Sequence, residues 1–332
     1  MKKILYIDGD GVGPELVSHA RRVLDSVAKV EWVKGEAGYS VFQRKGTPLS
    51  HETLEAAKNC DAVLFCAVTT PPKIPNYSSP IIQLRKELDL YANLRPFVSL
   101  PNVKAPFPSS PLNFAIVREN TEGLYSGIEE REGDTAYATR VITKKGSERI
   151  ARFAFEYAKK QGFPKVTIVH KGNVLRVTDG LFLDSAREVA KGYPAIQCED
   201  ALVDSVAMRL VKSPTDFAVI VTTNLFGDIL SDEASALIGG LGVAPSGNYG
   251  VRHALFEPVH GSAPTLAGQQ AANPTGMLLS TAMLLEHIGE KVAGERLSAA
   301  VRKCYGLGVM TKDVGGSART GEMVEKIISL LG

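Results

Sequence analysis

Two aspartates stand four residues apart in the stretch 217–242, FAVIVTTNLFGDILSDEASALIGGLG. The run 218–223 is typical of a buried strand, and the helical pattern after it contains Asp228 and Asp232. A spacing of four residues places both carboxylates on one helical face. A solvated acidic turn near a helix start would also explain the pair, because that end of a helix favours negative charge. The apolar surroundings and a third acid, Asp204 in CEDALVDSVAM, favour a hard divalent cation, Mg²⁺ or Mn²⁺, held by oxygen ligands.

Three arginines occur among apolar residues: Arg85 in IIQLRKELDL, Arg95 in YANLRPF and Arg118 in AIVRENTEGLY. Taken singly, each is also explained as a solvated surface side chain. Taken together, they offer planar guanidinium groups that bind carboxylates through two parallel hydrogen bonds. With a divalent cation beside them, they predict a small substrate that carries several negative charges.

Tyr125 and Lys171 are candidates for proton transfer. Tyr125 closes the segment RENTEGLY, and Lys171 follows the strand-like run 166–170, VTIVH. Each also has a structural explanation, since a tyrosine ring commonly packs and a lysine commonly faces water. Both side chains act as general acids or bases where their surroundings adjust the pKa.

Two glycine-containing segments are candidates for binding a nucleotide. GDGVGPE, residues 9–15, follows a strand-like run, but its spacing differs from the G-x-G-x-x-G of dinucleotide-binding turns. It predicts a strand-to-helix turn. The stretch 256–276, FEPVHGSAPTLAGQQAANPTG, is the better candidate, because small residues let the backbone approach a phosphate and its N–H groups can line an anion site. A plain loop would have a similar composition.

Strand-like and helical runs alternate along nearly the whole chain. We expect strands at 4–8, 61–68, 113–117, 166–170, 218–223 and 253–258. Such alternation is typical of an α/β fold with a mainly parallel sheet, in which ligands bind beyond the carboxyl ends of the strands. Two turn-rich stretches, 101–111 and 245–251, are candidate crossings between domains. They divide the chain into a domain of residues 1–99 plus 251–332 and a domain of residues 100–250.

Composition excludes several classes of protein. The chain has 332 residues and a formal net charge of +2, so we expect neither nucleic acid nor membrane as a partner. No apolar stretch approaches the length of a membrane span. The four cysteines are scattered without a CxxC pair, which argues against a zinc site or a disulfide framework and fits a reducing cytoplasm.

Five motifs follow one another along the chain: LRKELDLYANLRP, RENTEGLY, HKGN, NLFGDILSDEAS and EPVHGSAP. In this combination the sequence resembles the β-decarboxylating dehydrogenases, which comprise the isocitrate, homoisocitrate and 3-isopropylmalate dehydrogenases. The resemblance covers essentially the whole chain. It implies an isopropylmalate-dehydrogenase-like fold of two α/β domains with mainly parallel or mixed sheets flanking a cleft, distinct from the Rossmann fold. By this resemblance residues 1–99 plus 251–332 would form the large, nucleotide-binding domain, and residues 100–250 the small domain for dimerisation and substrate binding. It also implies a homodimer, or a dimer of dimers, with shared active sites.

The same resemblance implies roles for the candidate residues. Asp228 and Asp232 would bind Mg²⁺ or Mn²⁺, with Asp204 contributed by the neighbouring subunit. Tyr125 would protonate the enol carbon after CO₂ leaves, and Lys171 of the neighbouring subunit would assist deprotonation of the hydroxyl. The implied substrate-binding residues are Ser79, Arg85, Arg95 and Arg118. The implied cofactor-binding residues are Thr70, Glu257, His260, Gly261, Ser262, Ala263 and Asn273.

The resemblance implies a hydroxy-tricarboxylate or hydroxy-dicarboxylate as substrate, and the residues before Arg85 bear on which one. Ser79 matches a serine that meets the distal carboxylate in isocitrate enzymes, but Ile81 stands where those enzymes usually have asparagine. Ile81 and Ile82 resemble the apolar wall of isopropylmalate enzymes. The combination is most similar to archaeal homoisocitrate enzymes, so homoisocitrate is the first expectation, with isocitrate and 3-isopropylmalate as alternatives.

The cofactor choice depends on Thr265 and Leu266. NAD-using relatives have an aspartate where this chain has Thr265, whereas NADP-using relatives often have lysine followed by tyrosine there. Leu266 is more similar to the NAD-using enzymes, so NAD is the first expectation; NADP stays open because no acid at Thr265 would repel a 2′-phosphate. A non-catalytic regulatory subunit is the alternative of another class, and it would be expected to lack the tyrosine, the lysine or the acids that are all retained here.

Overall fold

The computed structural model describes residues 1–71, 74, 77–104 and 111–332. Residues 105–110 of the candidate crossing 101–111 lie outside the described part. In the described part the helices are α1 (Gly13–Asp25), α2 (Tyr39–Lys45), α3 (His51–Asn59), α4 (Pro80–Glu87), α5 (Lys144–Gln161), α6 (Thr178–Ala190), α7 (Val203–Lys212), α8 (Asn224–Leu237), α9 (Thr275–His287), α10 (Lys291–Gly306) and α11 (Thr320–Ser329). The strands are β1 (Lys2–Ile7), β2 (Val30–Gly35), β3 (Ala62–Phe65), β4 (Ala92–Val98), β5 (Asn113–Glu119), β6 (Gly123–Glu132), β7 (Thr135–Val141), β8 (Lys165–His170), β9 (Gln197–Leu202), β10 (Val219–Thr222), β11 (Pro245–Tyr249) and β12 (Ala254–Pro258).

The chain forms two compact units. The first comprises Met1–Leu90, Ser99–Pro106 and Ile238–Gly332, and the second comprises Tyr91–Val98 and Phe107–Leu237. The sequence division differs at two places. Strand β4 belongs with the second unit because it is hydrogen-bonded antiparallel to β5. The turn-rich stretch 245–251 contains strand β11, which pairs antiparallel with β12 in the first unit.

The first unit contains strands in the order β2, β1, β3, β12, β11. All neighbours in this set are parallel except β11 and β12. Strand β3 is buried at every residue, as expected of a parallel strand covered on both faces. Helix α1 starts with Pro14 in its first turn, where the missing N–H costs no hydrogen bond, and buries one face. Its apolar face is Leu16, Val17, Ala20, Val23 and Leu24.

The second unit contains strands in the order β4, β5, β10, β8, β9, which are parallel except for the β4–β5 pair. Helices α5 to α8 accompany them, and α8 follows β10 after one residue. Strands β6 and β7 form a separate antiparallel hairpin, most of it exposed. Arg118 is thus near the carboxyl end of β5, Lys171 directly follows β8, and α8 begins just after β10.

The strands expected from the sequence are confirmed as β1, β3, β5, β8, β10 and β12. The expected α/β architecture with mainly parallel strands is also confirmed. The polar segment that contains Tyr125 continues into the β6–β7 hairpin. The sequence did not predict this hairpin, because both of its faces are largely solvated and its strands therefore lack alternating apolar residues. None of the helices in the described residues is long and apolar enough to cross a membrane.

Candidate active site

Asp228 and Asp232 lie one turn apart on α8, as their spacing predicts. Both carboxylates face Arg95 of β4, whose Nη2 is 3.7 Å from Asp228 Oδ1 and whose Nη1 is 3.5 Å from Asp232 Oδ1. The Arg95 guanidinium is buried and is fixed by Asn93 and Ser231 at 2.8 Å and 2.6 Å. The shared arginine offsets the repulsion between two acids on one helical face.

Asp228 is also the acceptor for Arg118 and Tyr125. Arg118, on β5, is 1% exposed and donates from Nη1 to Asp228 Oδ1 and from Nε and Nη2 to Asn224 Oδ1, at 3.0 Å and 2.7 Å. Tyr125, on β6, donates its hydroxyl hydrogen to Asp228 Oδ2 at 2.6 Å. Burial, together with this hydrogen bond, raises the pKa of Tyr125 above its ordinary value.

Gly227 makes room for this arrangement. A Cβ atom at Gly227 would lie 2.6 Å from Arg118 Cγ and 2.7 Å from Arg118 Cβ. The aliphatic stem of Arg118 therefore runs against the α8 backbone, which aims the guanidinium along the helix toward Asp228. The motif NLFGD includes this glycine, but the sequence alone did not indicate that it accommodates the side chain of Arg118.

Lys171 and Asp204 form a second cluster in the same unit. Lys171 comes directly after β8, and its Nζ is 2.6 Å from Oδ1 of Asp204 in the first turn of α7. The hydrogen bond from Lys171 lowers the pKa of Asp204, whose side chain is 64% exposed. Among the described residues no three His, Cys, Asp or Glu side chains form a group that could hold a metal ion. Within one chain, Asp204 is therefore paired with Lys171, whereas Asp228 and Asp232 form a separate cluster.

Asp228 and Asp232 suit a hard divalent cation. Their side chains are 36% and 58% exposed, which leaves both carboxylates accessible despite the arginines around them. Their donor atoms are all oxygens, which Mg²⁺ and Mn²⁺ prefer. Two carboxylates are an incomplete set for a resident ion, so further oxygen ligands must come from water, from the substrate or from another copy of the chain.

In the first unit, Arg85 is paired with Glu257. Arg85 lies in the last turn of α4, and its Nη2 is 3.0 Å from Oε1 of Glu257 at the end of β12. Asn248 donates to the same oxygen at 2.9 Å. The buried Arg85 Nε has no hydrogen-bond partner among the described residues. An unsatisfied buried donor costs free energy, so a ligand that accepts from Nε would be favoured.

Ser79 and Ile81 stand at the start of α4. Ser79 is the residue before the helix and is buried, yet its hydroxyl does not cap the helix. Ile81 is half-buried and packs partly against the core cluster that contains Leu84 and Leu88. Ile81 therefore has a structural role besides any contact with a substrate.

The loop after β12 rests on the glycine-rich turn after β1. Val12 donates its backbone N–H to the Ser262 carbonyl at 2.9 Å, and a Cβ atom at Gly11 would collide with that oxygen. The hydroxyls of Ser262 and Thr69 are 2.7 Å apart. The segment GDGVGPE forms the predicted strand-to-helix turn. It also supports the candidate cofactor loop, a role that was not predicted because its glycine spacing differs from the dinucleotide-binding pattern.

Asp10 is a residue of this turn that the sequence analysis missed. Its carboxylate accepts the backbone N–H groups of Tyr39, Ser40 and Thr69 at 2.8, 3.0 and 2.9 Å. Asp10 is 8% exposed. The sequence did offer a signal for this role, an acid between two glycines just after a strand. A carboxylate in such a turn can accept hydrogen bonds from the backbone N–H groups of neighbouring segments.

The remaining cofactor candidates differ in their surroundings. His260 has a buried Nε2 without a hydrogen-bond partner among the described residues, and burial lowers the pKa of its ring. Ala263 has φ of 38°, a strained value for a residue with a Cβ. Asn273 accepts from the N–H of Thr275 and donates to Tyr305 and Asp313, so it anchors the loop to α9 and α10. Gly261 and Thr70 are exposed.

Comparison with known proteins gives this arrangement a family. The model of the isocitrate/isopropylmalate dehydrogenase family matches residues 3–327. The chain belongs to that family. It is 50% identical to the homoisocitrate dehydrogenase of Methanocaldococcus jannaschii, over 100% of this chain and 98% of the relative. It is 48% identical to the 3-isopropylmalate dehydrogenase of Methanothermobacter thermautotrophicus, over 98% and 97%. The crystal structure of isocitrate dehydrogenase from Methylococcus capsulatus superposes with a TM-score of 0.96 at 45% identity, over 100% and 99%.

The resemblance drawn from the five motifs and the isopropylmalate-dehydrogenase-like fold are thereby confirmed. Members of the family are β-decarboxylating dehydrogenases that act on small carboxylic acids. They generally use NAD(P) and a divalent metal ion. The isocitrate/isopropylmalate dehydrogenase family thus accounts for a site built from arginines, paired aspartates and a tyrosine.

Proposed function

We propose that this protein catalyses the metal-dependent oxidative decarboxylation of a 3-substituted malate, with homoisocitrate as the preferred substrate. The products would be 2-oxoadipate and CO₂, with reduction of NAD⁺. The observation that carries the proposal is the cluster at Asp228. It brings a proton donor, Tyr125, and a buried cation, Arg118, onto one carboxylate that has Asp232 beside it.

Each residue of this cluster has a separate task. Arg95 and Arg118 bind and orient the malate carboxylates, since both are buried guanidinium groups held by neighbouring side chains. Tyr125 donates the proton that replaces CO₂ on carbon, since its hydroxyl is fixed in place by the hydrogen bond to Asp228. Arg85 and Ser79 are proposed as further substrate ligands.

The metal ion and the nucleotide would be held by other residues. Asp228 and Asp232, with Asp204 of the partner subunit, would hold Mg²⁺ or Mn²⁺. When bound, the cation stabilises negative charge on the substrate oxygen and NAD(P)⁺ accepts the hydride. The nucleotide would be held by Thr70, Glu257, the loop 260–263 and Asn273.

A homodimer with shared sites is supported by exposed apolar side chains beside Lys171 and Asp204. Asp204, Met208 and Val211 follow helical spacing on one face of α7, and Met208 is 53% exposed. Val174 and Val177, which follow Lys171, are 68% and 84% exposed. A partner subunit that covered these side chains would also meet Lys171 and Asp204, which would then enter its site as one hydrogen-bonded pair.

Three considerations bear on the substrate. The combination of Ser79 with Ile81 and Ile82 offers one hydroxyl and an apolar wall, which suits a longer substituent that ends in a carboxylate. Similarity to a protein named homoisocitrate dehydrogenase supports the same choice. Similarity to a protein named 3-isopropylmalate dehydrogenase keeps that substrate, together with isocitrate, as the second candidate. Thr265 is exposed and uncharged, so NADP⁺ must be tested beside NAD⁺.

The test is the formation of NADH and of NADPH with Mg²⁺ and, in parallel, homoisocitrate, isocitrate and 3-isopropylmalate. A preference in kcat/KM for homoisocitrate with NAD⁺ supports the proposal. Comparable values on several substrates would identify a generalist of the same family. Absence of turnover on all three, with metal binding intact, would favour the non-catalytic regulatory subunit.

A further inference from the structure

A buried carboxylate, Asp179, holds the backbone of Lys171. Asp179 is in the first turn of α6 and has no exposed surface. Its Oδ2 accepts the backbone N–H of Lys171 at 2.6 Å, and its Oδ1 accepts from Nη1 of Arg140 on β7. A carboxylate this deeply buried requires a charged partner, and Arg140 supplies it.

The same arginine reaches the start of α8. Its Nη2 donates to Thr223 Oγ1 at 2.8 Å, and its guanidinium carbon lies 4.9 Å from the centre of the Phe226 ring. Thr223 directly precedes α8, and Phe226 is two residues before Asp228. The Arg140–Asp179 pair therefore contacts both the backbone of Lys171 and the start of α8, the helix that contains Asp228 and Asp232.

We propose that Arg140 and Asp179 are positioning residues that tie the Lys171–Asp204 cluster to the Asp228–Asp232 cluster of the same chain. The inference rests on the proposed function for the roles of the two clusters. With shared sites, Lys171 and Asp204 serve the partner subunit's site while Asp228 and Asp232 serve the chain's own. The buried pair then links two active sites of the dimer, and displacement of α8 in one site is transmitted to the lysine of the other.

A purely structural ion pair would behave differently. Breaking a buried pair leaves an uncompensated charge and lowers stability, but it does not by itself alter the chemistry of molecules that remain folded. A positioning pair changes kcat and metal affinity at temperatures well below the unfolding transition. The two roles are therefore separated by measurements made on folded protein.

The experiment compares the wild type with Thr223→Val, Arg140→Lys and Arg140→Ala. Thr223→Val removes only the hydrogen bond from Arg140 to the start of α8 and keeps the shape of the side chain. Arg140→Lys keeps the charge but loses the fork that reaches Asp179 and Thr223 together. Arg209→Ala is the matched control, because Arg209 also lies over a ring, that of Phe217 at 4.7 Å, and pairs with acids of the same unit.

Three quantities are measured on protein shown to be folded: Mn²⁺ affinity by electron paramagnetic resonance of the free ion, hydrogen exchange of the peptide that contains the Lys171 amide, and kcat with KM. We expect Arg140→Ala to weaken Mn²⁺ binding several-fold, to speed exchange at Lys171 and to lower kcat by about tenfold or more with KM changed less. We expect Thr223→Val to weaken Mn²⁺ binding while exchange at Lys171 changes little, Arg140→Lys to fall between, and Arg209→Ala to match the wild type.

If Thr223→Val and Arg140→Lys bind Mn²⁺ and turn over like the wild type and lose only melting temperature, the pair is structural and the proposal is wrong. Exchange and Mn²⁺ affinity are measured without substrate, so they decide the link even if no 3-substituted malate is turned over. Such a failure of turnover would count against the proposed function and not against the link.

Discussion

Tyr125 and Asp228 are joined by a hydrogen bond of 2.6 Å in which the phenol donates to the carboxylate. The tyrosine is on a strand of an exposed hairpin and the aspartate is on a helix that follows a buried strand. Asp228 thus holds the tyrosine hydroxyl while it also accepts from Arg118. A metal ion bound as proposed would use the same carboxylate, so metal binding and the orientation of the Tyr125 hydroxyl would then be coupled through one side chain.

Replacing Tyr125 by phenylalanine tests its proposed role in proton transfer. Tyr125→Phe removes the proposed proton donor and leaves the arginines in place, so we expect kcat to fall by about 10²- to 10⁴-fold with little change in substrate binding. Steady-state kinetics combined with isotope partitioning measures the two effects separately. Tyr137→Phe on the neighbouring strand is the control, since Tyr137 is 49% exposed. Unchanged turnover in Tyr125→Phe would remove the tyrosine from the mechanism.

Gly227 is expected to be required because a Cβ atom there would lie 2.6 Å from Arg118 Cγ. Gly227→Ala forces the arginine stem or the helix to move, which costs about 1–3 kcal/mol of unfolding free energy. Activity should fall further than stability, since the displaced guanidinium no longer meets Asp228. Gly180→Ala on α6 is the control, because a Cβ atom there meets nothing within 4 Å. Equal stability of the two variants in urea unfolding would contradict the packing.

Asp10 is expected to affect the nucleotide more than the other substrate. Asp10→Asn replaces an acceptor of three backbone N–H groups by an amide whose NH₂ opposes one of them. The turn that supports Ser262 then loosens, so we expect KM for the nicotinamide nucleotide to rise several-fold while KM for the hydroxy acid changes less. Asp25→Asn, at an exposed acid that accepts from Trp32, is the control. An equal rise in both KM values would show that Asp10→Asn does not act through the loop that contains Ser262.

The sequence predicted the parts of the site that depend on local periodicity. Spacing on one helical face was sufficient to bring Asp228 and Asp232 to the same arginine, and strand ends were sufficient to locate Lys171 and α8. It did not predict that Asp10 accepts backbone N–H groups from the start of α2 and from the loop after β3, or that Arg140 on the hairpin pairs with Asp179 on α6. These contacts join residues 29 to 59 positions apart, and no local pattern encodes which partner a buried charge will meet.

His253 is expected to make stability depend on pH. Burial, with Arg252 and Lys58 nearby, lowers the pKa of its ring in the folded protein. The unfolded chain therefore binds a proton at a pH where the folded chain does not, so stability is lost as the pH falls below the usual histidine pKa of about 6.5. We expect His253→Gln to reduce this acid-side loss relative to the wild type, measured by urea unfolding at pH 7.5 and 5.5. A loss identical in both proteins would assign the pH dependence to other groups.

Shared active sites are tested by mixing two inactive variants. Lys171→Met and Tyr125→Phe each disable both sites of their own dimers if both residues are required. In a hybrid dimer with shared sites, one site combines the Tyr125 of one chain with the Lys171 of the other and is intact. Refolding an equal mixture together should therefore restore about a quarter of wild-type activity, because half of the dimers are hybrids with one good site each. Mixing without refolding is the control, because hybrids then form only to the extent that folded dimers exchange chains. If hybrids form but activity stays at the level of the separate variants, Lys171 acts within its own chain. The exposed apolar side chains near Lys171 would then need an explanation other than a shared-site dimer.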